Sequence, residues 1–162
     1  FLDARAKELV AGGMMVLIMP GIPFGTPFSQ TVAGVLFDLM GASLMDMTKE
    51  GLVNEELVDS FNVPVYIAST KEMEELVEEN DCFSIERMEL TNPKFKIETP
   101  ITAETRTRHT RAGMEGIFSK HFGTGIIDEL FYRFQKKIEE ASDLLEGSNK
   151  EATQVFVVTK RK

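Results

Sequence analysis

The chain has 162 residues, 43% of them hydrophobic and 27% charged, with a formal net charge of -8. That length suits one domain with a sizeable core, and the acidic balance argues against nucleic acid and anionic membranes as partners. The single cysteine, Cys82, allows no intrachain disulfide and offers no metal-ligand spacing, which fits a reducing, cytoplasmic setting. No apolar run is long enough to span a bilayer, and the only dense basic run is the tail Lys160-Arg161-Lys162.

In chain order, Phe1 to Leu9 reads as a helix end with Phe1, Leu2, Ala6, Leu9 and Val10 on one face, stopped by Gly12-Gly13. The opening Phe1-Leu2-Asp3, without an initiator Met, is expected to lie inside a helix of a longer protein. Met14 to Met19 is apolar at every residue, as in strands buried on both faces. It is expected to be central and to take a neighbour from outside this chain, because an exposed edge on such a strand invites aggregation.

Pro20 to Pro27 is a loop whose glycines, Gly21 and Gly25, do not follow phosphate-loop spacing. A helix is predicted from Ser29 to Glu50, with Val32, Val35, Leu36, Leu39, Met40, Leu44, Met45 and Met47 forming a broad apolar face. A short acidic helix holds Asn54 to Val58. Asp59-Ser60-Phe61-Asn62-Val63-Pro64 is a turn leading to the strand-like Val65 to Ala68.

Ser69 and Glu72 have capping-box spacing, so a helix should run from there to Asn80. Its acidic run, Glu72 to Glu79, reads as a solvated face. Phe83 to Leu90 alternates apolar and polar residues, the pattern of a half-buried strand. Residues 91 to 100 form a polar, proline-marked excursion. Ile101 to Phe122 is helical and ends at Gly123-Thr124-Gly125. A clean amphipathic helix is predicted from Ile126 to Leu145, with Ile127, Leu130, Phe131, Phe134, Ile138 and Leu144 inward. After a turn at Gly147-Ser148-Asn149, Val155 to Val158 is a last strand. Helices separating three strands give an α/β chain.

Four stretches resemble the C-terminal portion of the plant SABATH methyltransferases, which act on salicylate, benzoate, jasmonate and purine alkaloids such as caffeine. They are Phe1 to Leu17, Met47 to Val53 with Asp59 to Tyr66, Arg111 to Glu115 running into His121-Phe122-Gly123, and Ile126 to Arg133. The order and spacing of these stretches agree over essentially the whole chain.

The resemblance implies the C-terminal half of a Rossmann-like class I methyltransferase sheet, strands 5, 6 and 7, with an α-helical cap. The last strand would run antiparallel between the other two. Residues 1–28 would end the core, 29–80 would form the cap and substrate-binding insertion, and 81–162 would supply the rest of the core with further cap helices. The implied activity is methyl transfer from S-adenosylmethionine to a small-molecule carboxylate or a purine-type nitrogen. The N-terminal half of the same protein would hold most of the donor, so no cofactor-binding residue is assigned here.

Catalysis of this kind is mostly positioning in a dry pocket. It needs no nucleophile and base, and His109 and His121 show no acid–base pattern. The resemblance places Leu36, Phe37, Tyr66 and Thr110 in the substrate pocket. Phe37 stands where several carboxyl methyltransferases carry tryptophan, which removes an indole N–H donor. Leu36 reads equally as core, and Tyr66 as a half-buried strand tyrosine. Asp59, Phe61 and Asn62 match a turn similar to a magnesium site in some members, and the competing reading is an Asx turn before proline. Ala152 falls near a position that is aromatic in some relatives. The alternative role is that of a truncated, non-catalytic homologue with a structural or dimerisation function; a homodimer stays open.

Overall fold

A computed structural model describes residues 1–91, 101–148 and 153–162, so the excursion expected over 91–100 falls almost wholly outside the described residues, as does Ala152. The described residues form seven α-helices and three strands: α1 (Leu2–Glu8), β1 (Met14–Gly21), α2 (Val32–Lys49), α3 (Glu55–Asp59), α4 (Thr70–Asn80), β2 (Phe83–Thr91), α5 (Ala103–Phe122), α6 (Ile127–Glu140), α7 (Ser142–Ser148) and β3 (Thr153–Arg161). They fall into two compact units. Among the described residues no helix is long and apolar enough to cross a membrane.

The sheet unit comprises residues 1–31, 66–94 and 151–162 in its described parts. Its strands lie in the order β1-β3-β2, with β3 antiparallel to both neighbours. The closing strand thus sits between the other two, in the expected arrangement. One face is covered by α1 and α4, and Ala6, Met73, Val77, Phe83, Val155 and Val157 are buried there. The capping box of α4 forms as its sequence demands: Ser69 Oγ accepts from the Glu72 backbone N–H, and the Glu72 carboxylate accepts from the Ser69 N–H.

The two faces of β1 differ in burial. Its burial alternates, and Met14, Val16 and Ile18 are exposed at 59%, 54% and 62%. Successive strand side chains point to opposite faces, so the run of apolar residues fills one face while the other stays bare. In the described sheet β1 pairs with β3 alone, and the neighbour expected from outside this chain is not among the described residues.

Val65 to Ala68 forms no strand. Only an isolated parallel bridge joins Ile22 to Ser69, and Val65 and Tyr66 are exposed while Ala68 is buried, so no ladder holds the segment as a strand.

The helical unit comprises 32–65 and the described part of 95–150. α6 presents Ile127, Leu130, Phe131, Phe134 and Ile138 to α2 and α5, all of them buried. Phe131 meets Phe118 and Phe134 edge-on, with centroids 6.2 and 6.3 Å apart. At the rim, the Arg133 guanidinium donates to both carboxylate oxygens of Glu50 at 2.7 and 2.6 Å and to Glu129 at 2.6 Å. Lys137 lies 2.7 Å from Asp46, and this bond, with Lys49 beside it, holds the Asp46 carboxyl down at about 2.

The long helix predicted to Leu145 breaks at Ala141, where α6 ends and α7 begins. The break shifts the helical phase, so Leu145 is buried and Leu144, expected inward, is exposed.

Candidate functional site

Helices α2 and α5 enclose the cavity of greatest interest. α2 contributes Ala33, Leu36, Phe37 and Met40, spaced i, i+3, i+4 and i+7, so they share one face. α5 contributes His109, Thr110, Gly113, Met114 and Phe118. The cavity measures about 200 Å³. Its walls are apolar and its floor rests on the buried Met40 and Phe118. A methyl group placed at Gly113 would meet nothing within 4 Å, so that side stands open. The two methionines are unbranched and polarizable, which suits a wall that adjusts to its occupant.

Three of the four residues assigned to a substrate pocket, Leu36, Phe37 and Thr110, therefore line one cavity. Tyr66 belongs to the sheet unit. Its hydroxyl donates to the Glu72 carboxylate, which also accepts from the Ser69 N–H at 2.8 Å and hydroxyl at 2.7 Å. The Tyr66 hydroxyl and the two Ser69 donors hold the Glu72 carboxyl down at about 2, while the neighbouring carboxylate pushes the Tyr66 hydroxyl up. Ala33, His109, Gly113 and Met114 went unassigned in the sequence. The signal was there: residues three and four apart on two amphipathic helices line the same surface.

The Asp59–Asn62 turn caps the C-terminal end of α3. Asp59 and Asn62 are exposed, and the Phe61 ring packs inward against Phe118, His121 and Phe122, with centroids 4.9 to 5.0 Å apart. His121 Nε2 donates to the Leu57 carbonyl at 2.8 Å and lies 3.4 Å from Ser60 Oγ, so the imidazole pins the turn to the end of α5. Among the described residues no group of three or more His, Cys, Asp or Glu could hold a metal ion. The turn offers one carboxylate, one amide oxygen and a backbone carbonyl. These are oxygen ligands of the kind a hard divalent cation takes, and the rest of a coordination shell would fall to water or to residues outside the turn.

β3 runs antiparallel between two mutually parallel strands, and the helical unit carries an apolar cavity lined by α2 and α5. The chain belongs to the SAM dependent carboxyl methyltransferase family, whose profile matches residues 1–162.

Among curated relatives it is 42% identical to the loganic acid O-methyltransferase of Catharanthus roseus over 163 residues, covering 100% of this chain and 44% of the relative. It is 33% identical to the probable caffeine synthase 5 of Camellia sinensis, covering 98% of this chain and 43% of that protein. A solved structure of loganic acid methyltransferase with SAH matches with a TM-score of 0.94 at 42% identity, over 100% of this chain and 46% of that one. The chain thus spans less than half the length of these relatives.

Proposed function

We propose that this chain supplies the acceptor side of a methyltransferase that moves a methyl group from S-adenosylmethionine to a carboxylate or ring nitrogen of a small molecule. The observation that carries the proposal is the convergence of Leu36, Phe37 and Thr110 on one apolar cavity. A donor sulfonium brings a methyl already activated for attack, so the acceptor atom forms a bond to the methyl carbon as the carbon–sulfur bond breaks. The residues here hold the acceptor body, fix its angle of approach and exclude water. Leu36 supplies an aliphatic wall, Phe37 a flat aromatic one, and Thr110 a single hydroxyl. Nothing in such a role requires these residues to move a proton.

Donor binding is assigned to the N-terminal half of the same protein, in keeping with a chain that spans 44% of its loganic acid relative. The bare face of β1 suits that reading, since an apolar surface of this kind is normally covered. A cation at the Asp59–Asn62 turn would need carboxylates from outside these residues.

The test is a chimera in which this chain replaces the matching C-terminal part of the loganic acid relative. It should bind S-adenosylhomocysteine by calorimetry and transfer a tritiated methyl to at least one member of a panel of carboxylic acids and xanthines. The isolated chain should bind no S-adenosylhomocysteine. A chimera that binds S-adenosylhomocysteine yet methylates nothing would favour the structural role and overturn the proposal.

A further inference from the structure

One side chain ties the last turn of α5 to the end of α3. The Leu57 carbonyl lies in the last turn of α3, where carbonyls lack helical N–H partners. It accepts from His121 Nε2 at 2.8 Å and from the Ser60 hydroxyl at 3.1 Å. A carbonyl only accepts, so Nε2 carries the proton and points at α3. The ring packs against Phe61 and Phe122, with centroids 5.0 and 4.7 Å away. With one nitrogen bonded and the ring packed, the imidazole is fixed.

What this bond holds is the direction in which the chain leaves α3. The Ser60 N–H donates to the Glu56 carbonyl at 3.1 Å and the Phe61 N–H to the Val58 carbonyl at 3.0 Å, so the turn continues directly from the helix. Phe61 sits inward on Phe118, with centroids 5.0 Å apart, while Asp59 and Asn62 on either side of it are exposed. The Asp59 carboxylate, the Asn62 amide oxygen and the Phe61 carbonyl come from four consecutive residues. They can meet one cation only if the turn keeps one shape. Groups one bond removed from a metal orient its ligands in this way.

We infer that His121 is a positioning residue for the Asp59–Asn62 turn: its Nε2–H, bonded to the Leu57 carbonyl, holds the turn in the shape that offers its oxygens to a hard divalent cation. This rests on the cation reading of the turn and is independent of the acceptor reading of the α2–α5 cavity. His121 itself touches neither cation nor acceptor. The hydrogen bond, rather than the packing of the ring, carries the role.

The test compares the 162-residue chain with His121→Phe, which keeps an aromatic ring without the donor, and His121→Gln, which keeps an N–H of similar reach without the ring. The probe is Mn²⁺, which takes the same oxygen ligands as Mg²⁺ and broadens the NMR signals of nuclei near it. Mn²⁺ should broaden the Asp59–Asn62 amide signals in the parent chain and in His121→Gln, and His121→Phe should need about tenfold more Mn²⁺ for the same effect. Without metal, the Ser60 and Phe61 amides should exchange with solvent about tenfold faster in His121→Phe alone, the scale of one net hydrogen bond. Broadening at the exposed Glu74, Glu75 and Glu78 of α4 reports nonspecific binding and should match in all three. Dispersed signals from the core residues Leu130 and Phe134 show that each variant is folded. If His121→Phe behaves as the parent, or His121→Gln fails as His121→Phe does, the positioning role is overturned and the cation reading stands. If Mn²⁺ leaves the turn untouched in the parent chain, the cation reading falls and the positioning role with it, while methyl transfer is judged separately by the chimera.

Discussion

Gly21 ends β1 where the strand runs beside Val155, and a side chain there has no room. A methyl built on Gly21 would stand inside the van der Waals envelope of Val155 Cγ2, 3.0 Å from the Val155 backbone nitrogen and 3.2 Å from its Cβ. Gly21 is not among the glycines with positive φ, so the requirement is for space rather than backbone freedom. Val155 is fully buried and cannot swing clear. Overpacking of this kind costs about 1–3 kcal/mol, while replacing a strand glycine by alanine returns about 0.5–1 kcal/mol. Gly21→Ala should therefore destabilise by about 1 kcal/mol, or about 2–4 °C in Tm for a chain of this length. Val155→Ala removes two methyl-sized groups and leaves a cavity, about 2–3 kcal/mol. Val155→Ala also deletes the Cγ2 that the new methyl strikes, so the double variant should lose about 1 kcal/mol less than the sum of the singles. Urea unfolding followed by circular dichroism measures all three. Strict additivity, or a Gly21→Ala loss under about 0.5 kcal/mol, would refute this account of the close approach.

Glu72 gives a pH dependence. Its carboxyl is held at about 2 in the folded chain against an ordinary 4.5, so its contribution is present above 4.5 and disappears as pH falls towards 2. Glu72→Gln should lower Tm at pH 7, and the gap to the parent chain should close across that window; a gap constant from pH 7 to pH 2 would contradict the assignment. The bare face of β1 should make the isolated chain self-associate at high concentration. Val16→Lys with Ile18→Lys should remove the concentration dependence of its sedimentation coefficient, and unchanged association would place the sticky surface elsewhere.

Much of this fold is legible because local rules and packing agree. The capping box at Ser69 and Glu72 forms as spaced, and the stripe from Ile127 to Ile138 is the buried face of α6. The departures have physical causes. Apolar character along Met14 to Met19 reports what the strand can bury, while cover on each face depends on other segments, and only one face has it here. Val65 to Ala68 has strand-forming side chains but a single bridge to pair with. Leu144 was placed by extending one helical phase through a break that no glycine or proline marks. At the site, Leu36, Phe37 and Thr110 were reached through resemblance, whereas His109 required the geometry. One exposed histidine on a helix crowded with arginines carries no distinguishing pattern until the facing helix is known.

The two incomplete surfaces of this chain ask for different things. On the sheet, β1 leaves Met14, Val16 and Ile18 uncovered, and among the described residues it pairs on one side only. That surface calls for apolar cover and a strand partner, which the hydrophobic effect and ladder hydrogen bonds reward without regard to chemistry. In the helical unit, the α2–α5 cavity has its apolar walls and two hydrogen-bonding groups but no cation. A carboxylate held for methylation cannot be left desolvated and unpaired, because burying an unpaired charge costs far more than apolar contact returns. On the acceptor reading proposed above, the described lining of this cavity offers a carboxylate only neutral groups and no cation. Exchanging Thr110 or Phe37 should accordingly shift the relative rates at which the chimera methylates the carboxylic acids and xanthines of the panel, and rates unchanged across the panel would contradict the acceptor reading.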